Sequence, residues 1–235
     1  MFDAIAERYD LLNRVLSAGM DKRWRARAVD ALNLTGREAM LDLCTGTADL
    51  ALAAATGAHR AKRIIGVDFA GAMLVLGKEK VRRAGLASSP PDRIPIDLIR
   101  GDAARLPLAD ASVDAVTIGF GIRNVEQPAV ACREIARVLR SDGKLVILEF
   151  SLPRTSVVRS FYLWYFRRVL PLIGRAISRH PSAYTYLPQS VEAFPSPDAF
   201  EQLLRDCGFS AVRRHALTFG VVYLFVATKG NAPAV

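Results

Sequence analysis

The chain has 235 residues, of which 51% are hydrophobic, and a formal net charge of +9. This length and hydrophobic content suit one α/β domain and exclude disorder as the general state; the charge favours an anionic partner, either nucleic acid or an anionic membrane surface. Cys44, Cys132 and Cys207 lie too far apart to suggest a disulfide framework, the three histidines show no metal-ligand spacing, and no run of 18 apolar residues points to a transmembrane helix.

The N-terminal stretch MFDAIAERYD is amphipathic and carries acids, which speaks against a signal peptide. Residues 1 to 18 read as a helix, with Phe2, Ile5, Tyr9, Leu12, Asn13 and Leu16 near one face and Gly19 as its stop. A basic helix follows in DKRWRARAVDAL, with Trp24, Ala28 and Leu32 on one side. Residues 40 to 57, MLDLCTGTADLALAAATG, read as buried strand, tight small-residue turn and helix. The strand RIIGVD ends at Asp68, a helix covers roughly 70 to 84, and ASSPPD at 87 to 92 makes a surface turn. A third strand, IPIDLIRGD, ends at Asp102, and residues 103 to 112 are loop or short helix. A fourth strand runs to about Gly119, a helix lies near 128 to 139, and Asp142-Gly143 turn into the strand KLVILEF. Residues 152 to 191 contain six arginines and no Asp or Glu, with Phe161, Tyr162, Trp164, Tyr165 and Phe166 clustered. This reads as a basic, aromatic helical insert, split into two short helices at Pro171 and Gly174. A helix starting at Asp198 and stopping at Gly208 precedes a hairpin around Gly220.

Strands alternating with helices predict a doubly wound, Rossmann-like α/β fold. The expectation is a seven-stranded, mostly parallel sheet with an antiparallel C-terminal hairpin, built as a single domain over residues 1–235. Ligands in such sheets bind beyond the carboxyl ends of the strands, where the turn at 44 to 48, Asp68, Asp102 and Gly119 all fall. The first turn lacks G-x-G-x-x-G, so a diphosphate is disfavoured. Asp68 follows Gly46 at the spacing of about 20 residues at which a carboxylate meets ribose hydroxyls. A ligand with a ribose and no diphosphate is implied, and S-adenosylmethionine fits this better than NAD. Asp102-Ala103 would sit beside the adenine. The competing reading is that Asp68 and Asp102 cap the helices that follow them; both on one rim, beside a small-residue loop, favour the ligand.

LDLCTGTADL, VDFAGAML and GDAARLPL resemble the class I S-adenosylmethionine-dependent methyltransferases. YDLLNRVLSAGMDKRW at 9 to 24, FGIRNV at 120 to 125, RVLRSDGKLVILEFS at 137 to 151 and AYTYLPQSVEAFP at 183 to 195 resemble the ubiquinone/menaquinone biosynthesis C-methyltransferases. The resemblance implies cofactor contacts at Gly46, Thr47, Asp68, Asp102, Ala103 and Gly119. It implies methyl transfer to a ring carbon of a prenylated hydroquinone, most readily demethylmenaquinol. Arg123 would favour the phenolate and Asn124 would orient the hydroxyl. Tyr9 and Asn13, in a helical lid over residues 1–35, and Tyr184, in the insert 152–191, would close over cofactor and substrate. The chain departs from the family at Asp21, where many members have His, at Thr45 and Ala48, where many have Gly, and at Ser141-Asp142, where Pro-Gly is usual. Gly119 takes a place often held by Ser.

A lipid-dissolved acceptor implies a cytoplasmic enzyme peripherally bound to an anionic membrane surface, with no nucleic-acid partner, no metal, and a homodimer left open. Two competing readings remain: methylation of another small lipophilic molecule, and methylation of RNA. A regulatory cofactor-binding module is the alternative from a different class, against which Arg123 and Asn124 stand in a complete family frame.

Overall fold

The computed structural model describes residues 14, 17, 19–57, 60–86, 95–165, 168 and 182–230, with backbone only at 161 and 182–185. The helix expected over 1 to 18, apart from residues 14 and 17, and the break expected at Pro171 and Gly174, lie outside the described residues.

Strand β1 (Ala39–Leu43) is the middle of the parallel part of the sheet, paired with β2 (Arg63–Asp68) and β4 (Val113–Gly119). β2 adds β3 (Ile96–Arg100) on one side, and β4 adds β5 (Leu139–Phe150) on the other. β6 (Phe209–Leu217) and β7 (Val222–Lys229) close the sheet antiparallel, giving the order β3-β2-β1-β4-β5-β7-β6. The seven strands and the C-terminal hairpin are as the sequence predicts. The inner strands are buried on both faces, so their sequences are continuous apolar runs with no polar alternation.

Alternate residues of each strand serve two cores. On one face α1 (Asp21–Leu32), α2 (Asp49–Thr56) and α3 (Gly71–Arg83) pack Trp24, Ala28, Leu50, Ala54 and Leu74 over Met40, Ile64 and Val146. On the other, α4 (Pro128–Val138) and α7 (Pro197–Asp206) pack Ile135, Phe200 and Leu204 over Leu41, Val116 and Ile118. Between β5 and α7 the described part of the insert forms α5 (Ser156–Trp164) and α6 (Ser182–Ala193).

Residues 103 to 112 are loop, one of the two forms expected. Two boundaries differ from expectation. β5 begins at Leu139, five residues before Lys144: Leu139 faces Val113 and Lys144 faces Ala115, so residues 140 to 143 bulge from the strand at Asp142, whose φ is 61°. α7 starts one residue earlier, because Ser196 supplies the cap: its hydroxyl accepts from the Ala199 amide at 3.3 Å, and Pro197 takes the first helical position.

Candidate active site

The carboxyl ends of β1, β2 and β4 meet at one rim. The loop leaving β1 runs through three left-handed residues, Cys44 (φ 55°), Gly46 (φ 57°) and Ala48 (φ 66°), so that its amides turn inward. Gly46 needs that conformation, and a side chain there would project into open space, so a ligand can approach the backbone. Asp42 holds the loop from below. Its carboxylate, 1% exposed, accepts from Thr45 Oγ1 at 2.6 Å and from Thr117 Oγ1 at 2.8 Å. Burial pushes its pKa up to about 6, against the pull of those two hydroxyls.

Asp68 ties the loop to the next helix: Oδ2 accepts from the Gly46 amide and Oδ1 from the Ala70 amide, each at 2.8 Å. The carboxylate thus holds the Ala70 amide just ahead of α3, which has no side-chain cap of its own, and also lines the rim cavity. Asp102 likewise accepts from the Ala104 amide at 2.9 Å. These groups surround a cavity of about 370 Å³, within the range of small-ligand sites. Gly46, Asp68, Asp102, Ala103, Gly119 and Asn124 all line it. Phe69, lining it too, is 70% exposed and lies under the Arg100 guanidinium, 5.5 Å from the ring centre.

Thr47 lies in an annex of about 30 Å³ that shares Cys44, Gly46, Gly119 and Phe120 with the cavity. Its other walls include Arg25, Asp42 and Asp49. Arg25 bridges Asp21 and Asp49, and Lys80 bridges Asp49 and the Thr47 hydroxyl. Asp21 thus anchors an ion-pair chain that joins α1 to the cofactor loop. The annex pairs a cation with carboxylates, which suits the two charges of an amino-acid end. Cys44 is no nucleophile: burial, then the charges of Asp68 and Asp42, raise its thiol pKa well above the ordinary value.

The 3₁₀ turn Ile122–Asn124 carries the catalytic candidates. Gly121 lets it approach the first loop, since a Cβ there would stand 2.3 Å from Cys44 Cβ. Arg123 does not line the cavity. Its side chain, 7% exposed, is paired at 2.7 Å with the fully buried Glu149, donates to Ser190 Oγ at 3.3 Å, and covers the Phe150 ring at 5.5 Å. Asn124 faces the cavity; its Oδ1 accepts from Tyr186 OH at 3.0 Å and its Nδ2 donates to the Phe120 carbonyl at 3.4 Å. Tyr184 is on α6 with its side chain outside the described residues, and Tyr9 and Asn13 lie outside them altogether. Asp42, Arg25 and Tyr186 are site residues that the sequence reading missed. Asp42 is visible there as the one acid in an apolar run. Tyr186 stands two positions from Tyr184, and Arg25 carries no signal beyond the charge of its helix.

A rim cavity with two carboxylates, an open glycine and an annex that pairs a cation with carboxylates fits S-adenosylmethionine. Among the described residues no three His, Cys, Asp or Glu side chains are grouped to hold a metal, and no helix is long and apolar enough to cross a membrane.

Comparison with known proteins agrees with that fit. A protein named ubiquinone/menaquinone biosynthesis C-methyltransferase, from Citrifermentans bemidjiense, is 45% identical, over 97% of this chain and 94% of its own. A demethylmenaquinone methyltransferase from Thermus thermophilus is 45% identical, over 97% of this chain and all of its own. The solved structure of an S-adenosylmethionine-dependent methyltransferase from Aquifex aeolicus shares the fold, with a TM-score of 0.61 at 16% identity, over 87% of this chain and 89% of that one. The family model of the ubiE/COQ5 methyltransferases matches residues 1–229, and the chain belongs to that family.

Proposed function

We propose that the protein transfers a methyl group from S-adenosylmethionine to a ring carbon of a prenylated demethylquinol, with demethylmenaquinol as the natural acceptor. The reading is supported by a rim cavity lined by Gly46, Asp68, Asp102 and Gly119, in a chain that matches quinone C-methyltransferases over 97% of its length. The cofactor supplies an electrophilic methyl when bound. Asp68, at the rim end of β2 and lining the cavity, is the carboxylate that would accept from the ribose hydroxyls. Asp102 and Ala103 border the adenine, and Arg25 with Asp49 holds the amino-acid end.

A ring carbon becomes nucleophilic when the neighbouring phenol carries negative charge. Asn124 is suited to stabilise that charge. Its Oδ1 is committed to Tyr186 and one amide proton to Phe120, so the second proton is left to donate to a phenolate oxygen in the cavity. Arg123, neutralised by Glu149, acts from behind the wall: it fixes the turn that aims Asn124 and adds a dipole. Phe120, which lines the cavity and is backed by Phe150 at 4.6 Å, offers the ring an apolar wall.

The prenyl tail of such an acceptor places it in a bilayer, so a cytoplasmic, peripheral association with anionic membrane belongs to the same reading, supported by the acid-free stretch 152–191. A homodimer would have to use a face other than the sheet edge, where Arg213 and His215 on β6 oppose edge-to-edge pairing. Purified protein should be assayed anaerobically with S-adenosylmethionine and matched naphthoquinol and benzoquinol acceptors. Carbon methylation of the naphthoquinol is the expected result; methylation of neither ring refutes the proposal.

A further inference from the structure

The hairpin joining β6 and β7 ends on an unusual tip. Phe219 is 82% exposed, the most exposed of the large apolar residues described. It is held there by strained backbone: Thr218 (φ 46°) and Phe219 (φ 57°) are both left-handed, followed by Gly220 at φ 85°. A chain that only needed to turn could place polar residues here and relax. The tip is also well fixed. Trp24 Nε1 donates to Thr218 Oγ1 at 3.0 Å, and the Ser151 amide donates to the Val221 carbonyl at 3.0 Å.

Its position relates it to the cavity. β7 runs antiparallel to β5 with Val222 opposite Phe150, so the tip stands at the same rim as the site. Trp24, which holds the tip, packs on Phe120 of the cavity wall at 6.0 Å and on Phe150 behind it at 6.3 Å. A Cβ on Gly220 would lie 3.8 Å from Pro153 Cα, three residues before α5 begins. Along α5, Val157 (75% exposed) and Trp164 (54% exposed) lie two helical turns apart on one stripe, with exposed Arg159 beside it. Arginines lie near this apolar set: Arg213 is exposed on the last part of β6, and the acid Asp198 is matched by Arg154 and Arg214.

We propose that the β6–β7 tip and the outer stripe of α5 form one membrane-inserting face, with Phe219 as its wedge, and that its partner is an anionic lipid bilayer. The proposal rests on the reading of a prenylated acceptor, which must leave the bilayer near the cavity mouth. Charge decides between occupants. A second copy of this chain would bring the same cations against one another, whereas an anionic leaflet complements them, and aromatic side chains favour the headgroup boundary.

The test is flotation of the full-length protein with vesicles of phosphatidylcholine alone or mixed with phosphatidylglycerol. Phe219→Gly suits the left-handed backbone, so the fold is preserved. Wild type should float with the mixed vesicles and not with phosphatidylcholine. Phe219→Gly should weaken that binding about tenfold or more, and Arg159→Glu should weaken it further in the same variant. Bromine-labelled lipid should quench the half-exposed Trp164 in wild type, and less in the variant. Equal flotation of wild type and Phe219→Gly overturns the proposal, as does a wild type that ignores vesicles and self-associates through Phe219. A short-chain, water-soluble acceptor assayed without vesicles separates the two readings. Its methylation should be the same in both proteins, and failure there contradicts the proposed activity instead of the membrane face.

Discussion

The proposed cofactor recognition turns on Asp68, which lines the rim cavity. Removing its carboxylate in Asp68→Ala should weaken S-adenosylmethionine binding at least about tenfold, since hydrogen bonds to a charged group contribute roughly 1.5–3 kcal/mol each; isothermal calorimetry reads this, and unchanged affinity contradicts the assignment. Asp42 predicts a pH dependence. Its pKa rises from 3.8 in the unfolded chain to about 6 in the fold, so between those values the folded protein holds a proton that the unfolded chain has lost. Stability should therefore fall as pH rises through that window, by about 3 kcal/mol, and level off above it. Asp42→Asn should flatten the slope in urea unfolding across pH. Over the same range wild-type affinity for the cationic cofactor should rise as Asp42 ionises. Arg123→Ala leaves Glu149 buried and uncompensated, so a loss of about 3–5 kcal/mol is expected, with turnover falling alongside. Arg123→Met combined with Glu149→Gln should recover most of the stability in thermal unfolding. At this scale Asp68 was legible because spacing carries it. Glu149 was not, because an acid inside the apolar run KLVILEF says nothing of its partner 26 residues earlier.

Among the elements, the first loop and the 3₁₀ turn are coupled by contact. Gly121→Ala should push a methyl into Cys44, displace the turn bearing Asn124, and lower turnover with little effect on the more distant core. Cys44→Gly should restore it, because it removes the obstructing Cβ and suits the φ of 55°. Failure of that rescue would mean that Gly121 matters for another reason. The parallel strands and their helices were readable from apolar runs and periodicity, since burial on both faces leaves a strong pattern. The 140–143 bulge was not. Asp142-Gly143 carries an ordinary turn signal, and only the pairing of Leu139 with Val113 shows the strand to have started earlier. Tyr186 escaped similarly, because its value lies in a partner on another element, Asn124.

Across the whole molecule, the charge of +9 is explained by position more than by amount. The rim at the cavity collects carboxylates that suit a cationic cofactor, while Arg154 just before α5, Arg159 on it and Arg213 on β6 are exposed. The net charge alone left RNA and membrane equally open, and sequence could not order them because it does not show which charges share a face. Membrane binding of this origin should be reversible and should weaken steeply as salt rises, since exposed charges are screened beyond about 10 Å at 0.1 M. The most direct measurement of the proposed chemistry uses S-adenosylmethionine carrying a ¹³C-labelled methyl, with purified protein and demethylmenaquinol kept reduced. The expected product shows the label as an aryl–methyl carbon by NMR, at the ring position next to a hydroxyl, with Asp68→Ala nearly silent at low cofactor. Label found as a methoxy group, or no label in the quinol with cofactor binding intact, would contradict it.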